Sequence, residues 1–400
     1  MKKFNKNMIL FVFAALFIAL GFCISMIKGL GRSALDSLSA LKRGNIDQAL
    51  AFNTNVDDTT QKRLRYHNLL MDINSIKDNL LGTRVVLKDD DNIIKSDSGS
   101  LVVAQKRIDS DVMADTVNKI DRLRDVAENN GAQFLFCFVP TKAMFEKLPE
   151  NVSDHSAENY EHFISEMNNS GIPLLDFNKM LTRDSFAADN YYFTDHHWTA
   201  RAGFKAAAEI CRELNSRYGF EYDPEYADIN NYTVKSYSDW FLGSYGKKVG
   251  THFTPRGADD FELITPNFDT EMTEAQPIKN HIRKGSFDET VLYLSNVKKD
   301  YYKKNAYATY SGGDFRLQIM KNELNPNGKK ILLIRDSIAC VVSPFLALQT
   351  SELHICDVRD YEYLVGDKLN MEEYIREISP DYVLVLYLSN GFDGSRYDFF

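Results

Sequence analysis

Two short stretches of this 400-residue sequence bring together residue types that can carry out acyl chemistry. The first centres on Ser337, which follows the apolar run KILLI at 330–334 and the pair Arg335-Asp336, and precedes a helical pattern at 339–349. A serine on such a strand–turn–helix junction is lifted out at the carboxyl end of a buried strand, where ligands bind in open α/β sheets. The N–H groups of the next helical turn point at the reacting centre and can hold a developing oxyanion, with the helix dipole favouring negative charge there. A serine also makes a good helix N-cap. Its position alone fits both roles.

The second stretch is Asp195-His196-His197-Trp198, within DNYYFTDHHWTARAGFKAAAEI at 189–210. A serine hydroxyl is a weak nucleophile until an adjacent imidazole takes its proton. That imidazole needs an acceptor on its other nitrogen to fix the tautomer and stabilise the imidazolium. Asp195 and His197 are two apart, so in an extended loop they face the same way. The histidines equally fit a helix-capping or packing role beside Trp198. As metal ligands, Asp195, His196 and His197 lack a second His or Cys cluster to complete a site. The sequence therefore predicts no metal and no cofactor.

The elements that must position these residues read as an α/β fold. Apolar runs at 133–140 (QFLFCFVP), 330–334, 353–358 (LHICDV) and 382–388 (YVLVLYL) suit parallel strands buried on both faces. Helical patterns at 112–129, 339–349 and 371–378, and one capped by Thr199, alternate with them. The prediction is an open parallel sheet flanked by helices over 106–400, interrupted at about 221–310 by short strands and long loops rich in Tyr, Asp, Asn and Gly. Residues 31–105 read as a stalk or cap: helix over 33–81, then two strands around the Asp-rich turn of RVVLKDDDNIIK.

Composition narrows the function. Hydrophobic residues at 44% and charged residues at 26% are globular values, and the net charge of −9 argues against a nucleic-acid partner, which requires a basic face. Residues 8–27 form an uncharged run long enough to cross a bilayer, with Lys2, Lys3 and Lys6 before it. We read residues 1–30 as a short cytoplasmic tail and transmembrane signal anchor, which puts the remainder outside the cytoplasm, on the outer face of the membrane. The cysteines are even in number beyond Cys23 and their spacing demands no disulfide.

The motifs resemble those of DHHW-type proteins and of SGNH-like acetyltransferase domains in bacterial exopolysaccharide O-acetylation proteins, such as those acting on alginate. The resemblance rests on YFTDHHW at 192–198, SGGD at 311–314 and ILLIRDSIA at 331–339, with a weaker match at Gly243-Ser244-Tyr245-Gly246. It implies an SGNH-hydrolase-like domain in which Asp195 orients, His197 acts as base and Ser337 is the nucleophile, an order that resembles a circular permutation of the usual one. Arg335-Asp336 departs from the Gly-containing pair found before the serine in relatives. Substrate-facing roles are expected for His196, Trp198, Lys142, Arg335, Tyr310 and Tyr387; for His196 a structural role is the alternative, for the aromatic residues core packing, and for Lys142 an ordinary solvated side chain. The resemblance further implies O-acetylation of a cell-envelope or secreted polysaccharide, with a membrane-bound acyltransferase as acetyl donor. A carbohydrate acetyl esterase with the same triad and a non-catalytic glycan-binding scaffold are the competing readings.

Overall fold

The computed structural model describes residues 67–88, 91–183, 190–359, 370–392 and 395–400. The apolar stretch 8–27 lies outside them; among the described residues no helix is long and apolar enough to cross a membrane. Contacts divide the chain into a unit ending at Asp78 and a second unit from Asn79 to Phe400. Of the first, the described residues belong to helix α1 (His67–Leu80).

The second unit holds a small antiparallel sheet, β1 (Val85–Lys88), β2 (Asp91–Lys95) and β3 (Leu101–Val103). Its main sheet has eight strands in the order β5-β4-β13-β11-β12-β10-β8-β9. These are β4 (Gln133–Val139), β5 (Leu174–Asp176), β8 (Met272–Gln276), β9 (His281–Gly285), β10 (Leu317–Asn322), β11 (Lys330–Arg335), β12 (Glu352–Cys356) and β13 (Tyr382–Leu388). A two-stranded ribbon, β6 (Tyr232–Phe241) with β7 (Asp259–Pro266), forms a separate sheet whose Tyr232, Phe241, Phe261 and Ile264 join the same core. Helices α2 (Ser110–Asn129), α3 (Ser156–Asn169), α4 (Phe177–Arg183), α5 (Ala200–Tyr218), α6 (Ser244–Val249), α7 (Phe287–Thr290), α8 (Ser343–Leu348) and α9 (Met371–Ile378) complete the unit.

The central strands explain the layering. Strand side chains alternate between faces, so each continuous apolar run feeds two cores. Leu135, Cys137, Ile331, Leu333, Leu384 and Leu386 join the cluster beneath α5 and α8. Phe134, Phe136, Phe138, Leu332, Ile334, Val383 and Val385 join the one beneath α2, α3 and α9. The described cysteines, Cys137, Cys211, Cys340 and Cys356, are unpaired and buried as small apolar residues.

Two expectations are corrected. The sheet is mixed, not fully parallel: β5, β4, β13, β11 and β12 pair in parallel, whereas β10, β8 and β9 add antiparallel strands. Two of the extra strands, β8 and β9, come from the inserted region and are joined by a short connection that allows antiparallel pairing but not a helical crossover. The helix expected at 339–349 is also broken. A 3₁₀ turn at Ser337–Val341 comes first, and α8 then starts afresh with Pro344 in its first turn, where a missing N–H is tolerated.

Candidate active site

The loop carrying Asp195 and His197 is closed on itself. Tyr192 N–H donates to the His197 carbonyl at 3.0 Å, and Thr199 N–H to that of Asn190 at 2.8 Å. Thr199 then caps α5, accepting from Ala202 N–H at 3.2 Å. Two buried charged residues grip this loop by its main chain. Lys142 donates from Nζ to the carbonyls of Tyr192 (2.8 Å), Phe193 (3.1 Å) and Asp195 (2.6 Å). Asp259 accepts from the N–H groups of Phe193 and Thr194 and from the Thr194 hydroxyl. Burial pushes the Lys142 ammonium down to about 8 and the Asp259 carboxyl up to about 6.

Ser337 sits across from this loop, at the end of β11. Its turn is fixed by Asp336, which accepts from Ile338 N–H at 3.0 Å through one oxygen and from Leu388 N–H (3.0 Å) and Arg396 Nη1 (3.1 Å) through the other. Asp336, not Ser337, is thus the cap of the turn, and the serine hydroxyl is left for other work. The N–H groups of Ile338 and Ala339 are both engaged by Asp336, so the start of this turn offers fewer donors than the sequence suggests. From the other side α5 presses on the turn at Gly203, where a Cβ would lie 2.4 Å from the Val341 side chain and 2.6 Å from its carbonyl oxygen.

Between the two segments a continuous relay forms. His197 Nε2 lies 2.8 Å from Ser337 Oγ, and His197 Nδ1 lies 3.0 Å from Asp195 Oδ1. Burial alone would raise the Asp195 pKa. The neighbouring His197 and hydrogen bonds from both histidines outweigh it and hold the carboxyl well below its ordinary range. An ionised carboxylate can only accept, so Nδ1 of His197 carries the proton and Nε2 is the nitrogen that accepts from the serine.

Three residues of this arrangement carried no assigned role in the sequence. Ser244 donates its N–H to Asp195 Oδ2 at 3.0 Å and its hydroxyl to Oδ1 at 2.8 Å. It comes from the weakly matching Gly243-Ser244-Tyr245-Gly246 stretch. Gly243 is required there because a Cβ would fall 2.4 Å from Asp195 Cβ. Tyr307 stacks on the His197 ring at 4.1 Å and 25°, and its hydroxyl reaches the carbonyls of Ser337 (2.7 Å) and Ile338 (3.0 Å). Asp259 is the third. Neither Tyr307 nor Asp259 sits in a local pattern that marks it out.

The substrate-facing expectations fare unevenly. His196 is half-buried, packs 3.8 Å from the His197 ring and lines an adjoining cavity; burial, with His197 alongside, lowers its pKa. Lys142 is not solvated: three carbonyls occupy its ammonium, although the residue lines the same cavity as His196. Trp198 is fully buried, edge-on to Phe177 at 5.2 Å. Tyr310 is buried with its hydroxyl between Glu262 O and Ile264 N, and Tyr387 is buried and donates to Arg396 O at 2.7 Å. Arg335 is fully buried, ion-paired with Asp314 and donating to Gly313 O at 2.9 Å. None of these four side chains is exposed enough to meet a sugar. The SGGD motif is accordingly a brace: Ser311 donates to Cys340 O at 2.9 Å, tying the loop to the turn of the serine.

Ligating atoms of Asp195, His196 and His197 lie within 4.8 Å of one another, close enough to hold a metal ion. Both nitrogens of His197 are already engaged by Asp195 and Ser337, so a metal there would have to break the relay. The geometry suits proton transfer to and from a serine oxygen.

Comparison with known proteins agrees with this description. Residues 99–235 match the family of the SGNH hydrolase-like domain of acetyltransferase AlgX, a stretch that contains Asp195 and His197 and ends before Ser337. The fold is shared with PatB1 of Bacillus cereus at a TM-score of 0.64 and 19% identity, covering 78% of this chain and 100% of that one. PatB1 with a sulfonyl adduct matches at 0.63 and 18%, covering 78% and 99%. A DHHW family protein from Eubacterium siraeum matches at 0.56 and 18%, covering 78% and 95%. No curated protein sequence matches. The chain thus resembles SGNH-like acetyltransferase domains, and the DHHW resemblance read from its motifs is met again in its fold.

Proposed function

We propose that this protein is an SGNH-like serine O-acetyltransferase that modifies hydroxyls of a cell-envelope or secreted polysaccharide through an acetyl-Ser337 intermediate. The observation that carries the reading is the unbroken chain from Asp195 through His197 to Ser337 Oγ. His197 Nε2 takes the Ser337 proton as Oγ bonds to the acetyl carbonyl carbon. The tetrahedral oxyanion collapses, the donor's leaving group departs with that proton, and acetyl-Ser337 remains. A sugar hydroxyl then gives its proton to His197 and attacks the same carbon. Breakdown frees Ser337 Oγ, which recovers the proton. Asp195 holds the imidazole and stabilises its cationic form throughout. The Tyr307 ring against His197 favours the same cation through its π face.

The apolar stretch 8–27 supports a membrane anchor with the triad on the outer face, where the acetyl group would come from a membrane-bound acyltransferase. Mass spectrometry of the full-length chain after exposure to 4-nitrophenyl acetate tests the reading. The expected result is one acetyl adduct, on Ser337, absent from Ser337→Ala and His197→Ala. An adduct elsewhere, or none, would sink the proposal. Release of the adduct by water as fast as by any glycan would instead make the protein an esterase.

A further inference from the structure

The charge of this chain is unevenly spread. Residues 298–304 (KKDYYKK) place four lysines in seven residues, against a net charge of −9 for the whole. Lys298, Lys299 and Lys303 are exposed and Lys304 is half-buried, and none of the four pairs with a described carboxylate. The loop is folded: Lys304 N–H donates to the Asp300 carbonyl at 3.0 Å, and the Tyr301 hydroxyl to that of Asp239 at 2.8 Å. Lys247 of α6 adds a fifth ammonium, donating to the Lys304 carbonyl at 2.7 Å. The neighbouring acids are Asp239, Asp260 and Asp300. The last two already accept main-chain N–H groups, those of Asp239 at 2.9 Å and Lys303 at 3.1 Å.

Two connections keep this surface beside the relay. Lys304 is three residues before Tyr307, whose ring lies on His197, and three residues of chain span at most about 11 Å. Lys247 is one helical turn beyond Ser244, which holds Asp195. Lysines crowded without partners repel one another, and a bound polyanion removes that cost. The aromatic residues among them point to a sugar. Lys299 stands over the rings of Trp240 at 5.9 Å and Tyr301 at 5.8 Å, and both rings belong to half-buried residues. Such rings give a pyranose an apolar surface to lie on. They do not protrude as the apolar side chains that anchor a helix in a bilayer do.

We propose that residues 298–304, with Lys247 and Trp240, form a docking surface for an anionic stretch of polysaccharide, outside the relay, that holds the polymer while a hydroxyl elsewhere along it meets acetyl-Ser337. Sugar carboxylates and backbone phosphodiesters present the same charge to these lysines, and the experiment separates them. The purpose of the surface rests on the transferase reading, whereas its test reads binding without turnover.

Tryptophan emission of the full-length protein in non-ionic detergent reads the binding, because Trp240 and the fully buried Trp198 are its two tryptophans. The probes are hexagalacturonate, poly(glycerol phosphate) and the neutral cellohexaose. One anionic probe is expected to bind at low salt at least tenfold more tightly than cellohexaose, and to be released at about 0.5 M salt, where screening is short-ranged. Which one binds tells carboxylate from phosphodiester. Changing Lys298, Lys299 and Lys303 together to Gln should weaken that binding about tenfold, as for three exposed ion pairs. Changing the same three to Arg should restore it, which separates lost charge from a misfolded loop. The assignment is overturned if neither anionic probe binds, if cellohexaose binds as well as they do, or if the Gln variant binds unchanged. Lysine-dependent binding to phosphatidylglycerol vesicles without binding to either anionic glycan would give the surface to the membrane and overturn it too. Failure to form acetyl-Ser337 with glycan binding intact strikes the transferase reading and leaves the docking surface standing.

Discussion

The two segments that meet at the His197–Ser337 contact are held by different kinds of charge. The loop of Asp195 and His197 is gripped by a lysine and a carboxylate, Lys142 and Asp259, each of which burial pushes toward its neutral form. The turn of Ser337 rests on guanidinium groups. Arg335 pairs with Asp314, Arg359 with Asp357 at 2.6 Å, and Arg396 with Asp336 at 3.1 Å. Guanidinium groups do not titrate in the accessible range. Burial would raise the Asp314 pKa, but Arg335 and Arg359 keep it below its ordinary value. The nucleophile therefore stands on a foundation insensitive to pH, while the acid–base loop is fully clamped only where both Lys142 and Asp259 are charged. Departures from neutrality should disturb the base before the nucleophile.

Substitutions at three positions probe that contrast. The largest expected effect is on chemistry from the loop side. Asp195→Asn should lower the rate of Ser337 acylation by about 10⁴-fold, as expected when the base loses its orienting carboxylate and takes the wrong tautomer. Stopped-flow acylation alongside a thermal melt checks it; a loss of stability large enough to explain the rate would break the contrast.

On the nucleophile side the effect should fall on folding instead. Arg335→Met leaves Asp314 and the buried Asp357 with Arg359 as their remaining guanidinium, and should cost about 3 kcal/mol, the lower end for breaking a buried pair. Urea unfolding measures this. Arg335→Lys should recover only part of it, because an ammonium cannot reproduce the fork that reaches both Asp314 and Gly313 O.

The smallest effect is a pH limb. The Lys142 pKa, about 8, lies below the ordinary lysine value of 10.5. Between these values the unfolded chain binds a proton that the folded chain has released, so this group's contribution to stability rises with pH. Its clamp weakens over the same interval, because a neutral amine has two hydrogens to donate to three carbonyls. Acylation should thus fall about fivefold above pH 8, the effect of one lost hydrogen bond, without a matching loss of stability. Lys142→Arg, charged at every accessible pH, should flatten that limb at a lower plateau. A limb unchanged in Lys142→Arg would show that the loop clamp does not control the base.

Much of this was legible in the chain itself. The runs QFLFCFVP, KILLI and YVLVLYL became β4, β11 and β13 because a strand buried on both faces admits few polar residues, a condition composition alone displays. The antiparallel strands β8, β9 and β10 escaped notice because each is short and keeps polar residues such as Glu274 and Gln318, whose burial depends on partners far along the chain. The site divided in the same way. Asp195, His197 and Ser337 are readable because their chemistry requires those residue types at a turn and in a closed loop. Lys142, Arg335, Trp198, Tyr310 and Tyr387 were expected to face substrate, since residue type cannot tell a charged or aromatic side chain in a cleft from one buried under it.

The sequence by itself determined the chemical identity of the relay and the strand that presents the serine, because both follow from residue types and short-range patterning. Only the tertiary structure decided what holds the relay in place: Lys142 and Asp259 on its loop, Ser244 behind Asp195, Tyr307 against His197 and Asp336 as the cap that frees Ser337. The physical reason is that these partners act through main-chain carbonyls, N–H groups and ring faces. Every residue has a main chain, so such contacts leave no mark in the order of side chains.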